Sequence, residues 1–230
     1  MKKFYLFILL LPFFFVSCEI KPYADFMPSS DEVDAGDAVM FSNHSADAVS
    51  FHWDFGDGNW SEEYDPTHIY SQPGTYIVSL TAYSRSHRAS QYSRTVTVLY
   101  PTTLVITVLE YYQQYPVANA SVILYPSLND WNSMTNQVID GYTDSNGEVF
   151  FSHLPAINYF LDVWEANHNN YALASEDVNF ISTGVLVPHE VNEFIAYVDY
   201  VPSGTKSRSL HTITGSSNGP RFLKKLVKAK

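Results

Sequence analysis

Short runs of alternating apolar and polar residues, separated by turn signals, constrain the fold of this chain more than any other feature. Each run places apolar side chains at every second position, which is the pattern of a half-buried β-strand. The apolar positions that share a predicted face are Val49, Phe51, Trp53 and Phe55; Tyr76, Val78, Leu80 and Ala82; Val96 and Val98; Leu104, Ile106 and Val108; Val149 and Phe151; and Tyr159, Leu161 and Val163. Before the C-terminal tail, no stretch shows a helical period over ten or more residues. The sequence therefore predicts an all-β protein built from β-sandwiches.

The N-terminal segment has the features of a secretory signal. In residues 1–17, two lysines precede an apolar run of thirteen residues, which is too short to span a bilayer comfortably. Cys18, the only cysteine, follows directly, and the tetrad FVSC resembles the lipobox of bacterial lipoproteins. This resemblance implies that Cys18 is the lipidation site and that residues 18–22 are a lipidated linker. The alternative is an ordinary signal peptide with a chance cysteine.

A lipidated cysteine would hold the protein at the cell envelope. Several acyl chains anchor a protein stably, whereas one chain alone binds a membrane only marginally. We therefore expect a protein attached to the membrane through its N-terminal lipid, at the outer membrane, on a face that the sequence leaves open.

Charge divides the sequence into an acidic body and a basic tail. Residues 19–200 hold 24 acidic and 4 basic residues, whereas residues 201–230 hold seven basic residues and no acidic one. An acidic body argues against a nucleic-acid partner. The tail ends in PRFLKKLVKAK, in which the apolar residues of Phe222–Val227 could form one helical face. We expect a flexible, disordered tail; folding on an anionic surface or against the acidic body is the alternative.

The first predicted sandwich carries a specific family resemblance. WDFGDG at Trp53–Gly58, followed by DPTHIYSQPGTYIVSLTAY at Asp65–Tyr83, resembles the PKD domain, and DAGDAVMFSN at Asp34–Asn43 matches its early strand. The resemblance implies an immunoglobulin-like β-sandwich over residues 23–100, of a kind found in cell-surface and secreted proteins.

The two aspartates of WDFGDG are the first candidates for chemistry. They could form an acid/base pair or a calcium site, or they could tie a turn together. An acid/base pair requires a cleft that separates its two pKa values, and none is implied here. Glycines permit positive φ, and aspartates accept nearby backbone N–H groups. We therefore predict a structural turn made of Trp53, Asp54, Gly56, Asp57 and Gly58, with the tryptophan inside the sandwich.

The second predicted sandwich, residues 101–200, resembles the transthyretin-like modules, which include the carboxypeptidase regulatory-like and Cna-B-like repeats. The residues that carry the pattern are Thr143, Asp144, Gly147, Phe151, Leu154 and Tyr159. The resemblance implies a stalk or adhesion module, usually without catalysis. The Lys–Asn isopeptide bond of some members is excluded, because no lysine lies between Lys21 and Lys206.

Motifs for catalysis or metal binding are incomplete. The run DSNG at residues 144–147 begins like a calcium loop but lacks the further oxygen ligands. HEVNE at residues 189–193 lacks the second histidine of HExxH and precedes a predicted strand. The other histidines lack metal-ligand spacing, and no G-x-S-x-G is present. The sequence therefore predicts no catalytic residue, no metal site and no cofactor, and hence not an enzyme.

Aromatic residues in predicted loops and strand ends are the better candidates for ligand contact. Trp60, Trp131 and Tyr112 could serve in this way, because aromatic rings are common interface anchors and stack on sugar rings. Core packing is the alternative, and for Trp131, in a predicted loop at Ser127–Gln137, both remain open.

These features together predict a non-catalytic, lipid-anchored envelope protein that acts as a binding or spacer module for glycan or protein partners. The alternative is a structural accessory subunit of a surface assembly, such as a pilus-associated or nutrient-uptake lipoprotein.

Overall fold

The computed structural model describes residues 20–201, which separate into two compact units whose sequence boundary lies near residue 97. The predicted signal peptide, the predicted lipidation site Cys18 and the tail from residue 202 onward lie outside the described residues. The described residues are mainly β-strands arranged in sandwich-like sheets, which confirms the all-β prediction. The exact domain boundaries stay a prediction.

The first unit contains eight strands in two sheets. In chain order they are β1 (Phe26–Pro28), β2 (Glu32–Asp34), β3 (Ala38–Asn43), β4 (Ser50–Asp54), β5 (Trp60–Ser61), β6 (Thr67–Ile69), β7 (Gly74–Tyr83) and β8 (Ala89–Leu99). One sheet has the strand order β1-β3-β6, and the other has the order β2-β8-β7-β4-β5.

Buried aromatic rings join these two sheets. Trp53 of β4 is fully buried, and its ring centroid lies 5.0 Å from that of Phe26 and 5.8 Å from that of Phe41. The two phenylalanines belong to the three-stranded sheet, so the indole sits between the layers. Leu80 is buried as its alternation predicts. Val49 is instead exposed, because it precedes the first residue of β4.

The second unit contains eight strands and three short helical segments. In chain order the strands are β9 (Thr103–Glu110), β10 (Ser121–Tyr125), β11 (Ile139–Tyr142), β12 (Glu148–Phe151), β13 (Asn158–Glu165), β14 (His168–Asn169), β15 (Ser182–Val185) and β16 (Val191–Tyr200). The helical segments are α1 (Leu128–Ser133), α2 (Tyr171–Glu176) and a 3-10 helix (Val178–Ile181). The eight strands form one sheet with the strand order β11-β10-β13-β14-β16-β9-β12, and β15 pairs with β13 beside this path.

The first and last strands of the second unit are neighbours. β9 and β16 pair in parallel, from Thr103 with Val191 to Glu110 with Val198. The inward side chains of β9, β10, β12, β13 and β16 form one core cluster, as the alternation predicted for Leu104, Ile106 and Val108 requires. The parallel pairing is a feature that the sequence pattern did not predict.

The helices correct the prediction that residues 127–137 form a loop. α1 begins after Ser127, whose hydroxyl accepts a hydrogen bond from the Asp130 N–H at 3.1 Å, and it ends at Met134 in the left-handed region. A serine in this position satisfies one of the free N–H groups of the first helical turn. A helix of six residues is too short to show a helical period over ten or more residues.

Neither α-helix within residues 20–201 combines the length and hydropathy needed to span a membrane.

Candidate functional site

The WDFGDG turn uses both of its carboxylates for local hydrogen bonds. Asp54 accepts from the Gly56 N–H at 2.9 Å, and Asp57 accepts from the Asn59 N–H at 3.0 Å. Gly56 has φ +83°, and a Cβ there would lie 2.8 Å from the Ile77 carbonyl oxygen. Only glycine meets both conditions. This geometry supports the predicted structural role of the turn.

A histidine that the sequence did not assign to this turn completes it. The His68 Nε2 atom lies 2.8 Å from the Asp57 Oδ2 atom. The imidazole stacks on Phe55 with a centroid distance of 4.1 Å and an interplanar angle of 4°. Burial raises the pKa of Asp57, but the hydrogen bonds from His68 and Asn59 outweigh it, so the pKa lies below its usual value.

The Tyr70 hydroxyl adds a buried lock to the same turn. It donates to the Phe55 carbonyl oxygen at 3.0 Å, and the ring stacks on Tyr76 at 4.4 Å. Burial, followed by the negative charge of Asp57, raises the pKa of Tyr70 above its ordinary value. The phenol therefore stays protonated and keeps donating this bond at physiological pH.

The DSNG segment likewise uses its carboxylate within a turn. Asp144 accepts from the Glu148 N–H at 2.9 Å and from the Asn146 N–H at 2.8 Å, and these bonds lower the pKa of Asp144. The segment connects β11 to β12. Within residues 20–201, no group of three or more His, Cys, Asp or Glu side chains is placed to hold a metal ion.

Trp60, the predicted contact residue of the first unit, has 63% of its surface exposed. It pairs with Asp54 in the five-stranded sheet, and Asp54 also pairs with Ser79. Paired residues share a sheet face. Because Trp53 points into the core, its neighbours Asp54 and His52 point outward.

We call this outer surface the Trp60 face, defined by His52, Trp60, Ile77, Ser79 and Ser93. The ring centroids of the His52 imidazole and the Trp60 indole lie 5.7 Å apart, and the interplanar angle is 31°. The Ser79 and Ser93 hydroxyls hydrogen-bond to each other at 2.8 Å. The Trp60 face therefore combines an exposed indole with hydroxyl groups on an open sheet.

Trp131 is placed in the core instead. It is 4% exposed, and its indole N–H donates to the Leu161 carbonyl oxygen at 2.8 Å. It belongs to a cluster on the outer face of the sheet, together with Tyr125, Ala174 and Ile181. The sequence left both ligand contact and core packing open for Trp131. The structure corrects the ligand-contact prediction, because the helical segments cover the ring on the sheet.

Tyr112 is exposed in the turn after β9, with 72% of its surface accessible. Its ring contacts Tyr111 edge-on at 5.1 Å. Three residues further along, the Tyr115 hydroxyl lies 2.8 Å from the His168 Nε2 atom, and the His168 Nδ1 atom lies 3.0 Å from Glu165. The turn is thereby tied to β14.

The proton positions in this Glu165–His168–Tyr115 chain follow from the donor inventory. A carboxylate only accepts, so in the neutral imidazole Nδ1 carries the proton and Nε2 accepts from the Tyr115 hydroxyl. Burial, then the nearby Glu110 carboxylate, raises the pKa of Tyr115. The phenol is therefore a hydrogen-bond donor rather than a nucleophile. Only the spacing of Glu165 and His168, three residues apart, could have indicated this contact in the sequence.

The fold and the WDFGDG turn together define an immunoglobulin-like sandwich module. Residues 20–99 match the family model of the PKD domain, so the chain carries a PKD domain in its first half. This confirms the first of the two family resemblances. The transthyretin-like resemblance of the second unit stays a prediction.

Three known proteins show where related sequences occur. Over 50 residues, 22% of this chain, it is 44% identical to the collagenase ColA of Bacillus cereus. Over 118 residues, 50% of this chain, it is 32% identical to the pre-pro-metalloprotease PrtV of Vibrio cholerae. The solved PKD1 domain of Vibrio anguillarum Epp is 35% identical and covers 36% of this chain and 98% of its own, with a TM-score of 0.32.

The chain spans 5% of the length of ColA and 11% of the length of PrtV. The similarity therefore concerns a module of those proteins, and it does not extend the activities that their names state to this chain.

Proposed function

We propose that this chain is a lipid-anchored envelope protein whose two sandwiches form a non-catalytic binding module, and that its PKD domain contacts a glycan through the Trp60 face. The single observation that carries the proposal is the exposed Trp60 on an open, hydroxyl-bearing sheet surface. A protein partner at the same face is the alternative.

The chemistry of the Trp60 face suits a sugar ring. A sugar presents an apolar face of C–H groups with hydroxyls around its edge, so it needs a flat aromatic surface beside small polar groups. The indole of Trp60 supplies the first, and the hydroxyls of Ser79 and Ser93 with the His52 imidazole supply the second. All of these side chains stand on β-strands, which hold their positions more rigidly than loops do.

The remaining part of the proposal rests on the sequence. Cys18 would carry the lipid, and the acidic body would keep the domains away from nucleic acid and from anionic membrane surfaces. Both WDFGDG carboxylates are occupied within their turn, so the proposal gives them no catalytic role.

The test is a binding measurement on the full chain. We expect the wild type to be retained on one or more insoluble polysaccharides or array glycans, and Trp60→Ala to weaken that binding by about tenfold or more, or about 1.4 kcal/mol. Trp60→Phe should keep part of the affinity, because a flat ring remains.

Ile69→Ala is the matched control. Ile69 is similarly exposed but lies on the other sheet of the same domain, so its replacement should leave glycan binding unchanged. Equal losses of glycan affinity in Trp60→Ala and Ile69→Ala, or glycan binding that does not change in Trp60→Ala, would refute the assignment of the Trp60 face. A wild type that binds no glycan but co-purifies with a stable envelope protein would instead support the accessory-subunit alternative.

Localisation tests the anchor separately. Cys18→Ala should release the protein from the membrane fraction, and protease treatment of whole cells should show which side the wild type faces. An unchanged membrane fraction for Cys18→Ala would refute the lipid anchor without affecting the Trp60 face.

A further inference from the structure

The second unit carries an apolar sheet surface that is partly accessible to solvent. Leu104, Ile106 and Val108 of β9 point into the core, so the alternate residues of that strand point outward. Val105 pairs with Phe150. We call this surface the β9–β16 face, defined by its outward apolar side chains: Val105, Leu109, Phe150 and Ile195.

The most accessible residue of this face lies at a sheet edge. Phe150 of β12 is 64% exposed, and β12 pairs with β9 alone among the described strands. An open strand edge beside an apolar surface is a place where another chain segment can add, and natural proteins usually cover or blunt such edges.

Two exposed carboxylates lie on the same face. Glu193 pairs with Val105, and Glu148 pairs with Thr107, so both point outward beside the apolar residues. Residues 98–201 contain twelve aspartates and glutamates and no lysine or arginine. A lysine or arginine that neutralises this face must therefore come from outside residues 98–201.

The chain itself contains a segment with the matching chemistry. Residues 220–230, PRFLKKLVKAK, carry four lysines and one arginine with no acidic residue. Phe222, Leu223 and Leu226 are spaced so that one side of a helix would be apolar and the other basic. A helix this short is marginal alone, so it needs a surface to fold against.

The tail is also long enough to reach the face. β16 ends at Tyr200, and residues 201–219 separate it from the amphipathic segment. Nineteen extended residues span at most about 65 Å, whereas the ten residues of β16 span about 33 Å. The segment can therefore return along the whole of β16.

We propose that residues 220–230 dock on the β9–β16 face of the same chain, with their apolar side on Phe150 and Ile195 and their lysines beside Glu148 and Glu193. Docking buries the apolar face and neutralises the local carboxylates. The proposal is independent of the Trp60 face and of the lipid anchor.

Photo-crosslinking of the full chain tests this arrangement. Leu226 is replaced by p-benzoyl-phenylalanine, the purified protein is irradiated, and the products are mapped by mass spectrometry. We expect crosslinks in the monomer-sized band to peptides that contain residues 105–109, 148–150 or 193–197. In 0.5 M NaCl the crosslink yield should fall, because salt screens the attraction between the lysines of the segment and the carboxylates of the face.

Two sets of variants make the test specific. Phe150→Lys, and separately the pair Glu148→Lys with Glu193→Lys, should each lower the crosslink yield at least fivefold, while circular dichroism shows the fold intact. Ile69→Lys is the matched control, since Ile69 is similarly exposed but belongs to the first unit and lies outside the Trp60 face, and it should change the yield less than twofold.

Every other product overturns the proposal. Dimer-sized crosslinks would assign the segment to a second copy, and crosslinks to residues 20–97 would assign it to the first unit. Absence of any crosslink, with co-sedimentation on phosphatidylglycerol-containing vesicles, would make the segment a membrane contact.

Discussion

Replacement of Trp131 tests whether this side chain has a core role or a surface role, because the two roles predict very different losses in the free energy of unfolding. The side chain is nearly fully buried among Tyr125, Ala174 and Ile181. Removal of a buried tryptophan side chain costs about 3–5 kcal/mol, because the lost burial adds to the cavity left behind. We therefore expect Trp131→Ala to lower the free energy of unfolding of the second unit by that amount.

The hydrogen bond of the indole contributes little to this loss. The Leu161 carbonyl oxygen, which accepts from the Trp131 N–H, also accepts from the Asn170 side-chain amide at 2.8 Å. It therefore keeps a partner in the variant and avoids the cost of a buried, unsatisfied acceptor. Trp131→Phe, which keeps most of the apolar volume, should cost only about 1–2 kcal/mol.

Amide hydrogen exchange followed by mass spectrometry is the suitable assay, because it reports each unit of a two-unit protein separately. A loss of about 3–5 kcal/mol accelerates exchange of the slowest core amides roughly 10²- to 4 × 10³-fold, at tenfold per 1.4 kcal/mol. Peptides from β10 and β13 should show this, and peptides from residues 20–97 should not.

Trp60→Ala is the matched control for this experiment. The indole of Trp60 is mostly exposed, so we expect a change within about 0.5 kcal/mol in the first unit. If Trp131→Ala also left exchange within a few-fold of wild type, Trp131 would be a surface residue and the packing described for α1 would be wrong.

Three further perturbations test the two hydrogen-bonded turns. Gly56→Ala should destabilise the first unit by about 2 kcal/mol or more in thermal unfolding, because its Cβ would lie 2.8 Å from a carbonyl oxygen on β7. Gly58→Ala, which has φ +91° but no atom within 4 Å of its Cβ, should cost only about 1 kcal/mol, and equal losses would contradict the steric argument. The folded-state pKa of Asp57 is lowered, so its stabilisation is complete above pH 3.8 and is lost as the pH falls through the folded value. Acid titration from pH 5 to pH 2 should therefore destabilise the wild type more than Asp57→Asn, and parallel curves would contradict this. Tyr115→Phe removes the hydroxyl that donates to His168 and should cost about 0.5–1.5 kcal/mol by urea unfolding, whereas no loss would show that the contact contributes nothing.

The positions of the strands and the direction in which their side chains face could be predicted, because both follow from residues that are close together in the sequence. In a strand that is half buried, every second residue must be apolar, so the buried positions of β7, β9 and β13 are visible in the sequence. The WDFGDG turn was predictable for the same reason, since its glycines and aspartates bond within a few residues of one another.

The partners of that turn were less visible. His68 lies eleven residues from Asp57, and Tyr70 lies fifteen residues from the Phe55 carbonyl that it bonds. Their contacts depend on the way β6 of the three-stranded sheet lies against the turn.

The sequence by itself determined which residues face inward and where the chain turns, because both follow from backbone geometry over a few residues. The tertiary structure alone decided the fate of side chains whose partners are distant. Trp131 stands in a polar, aperiodic segment, and it is buried between the outer face of the sheet, contributed by β10 and β13, and the helical segments that carry Ala174 and Ile181. Tyr115 and His168 are 53 residues apart, and they meet because the parallel pairing of β9 with β16 brings the Tyr115 turn beside β14. Such contacts depend on the order of strands in the sheet, which a local sequence pattern does not predict.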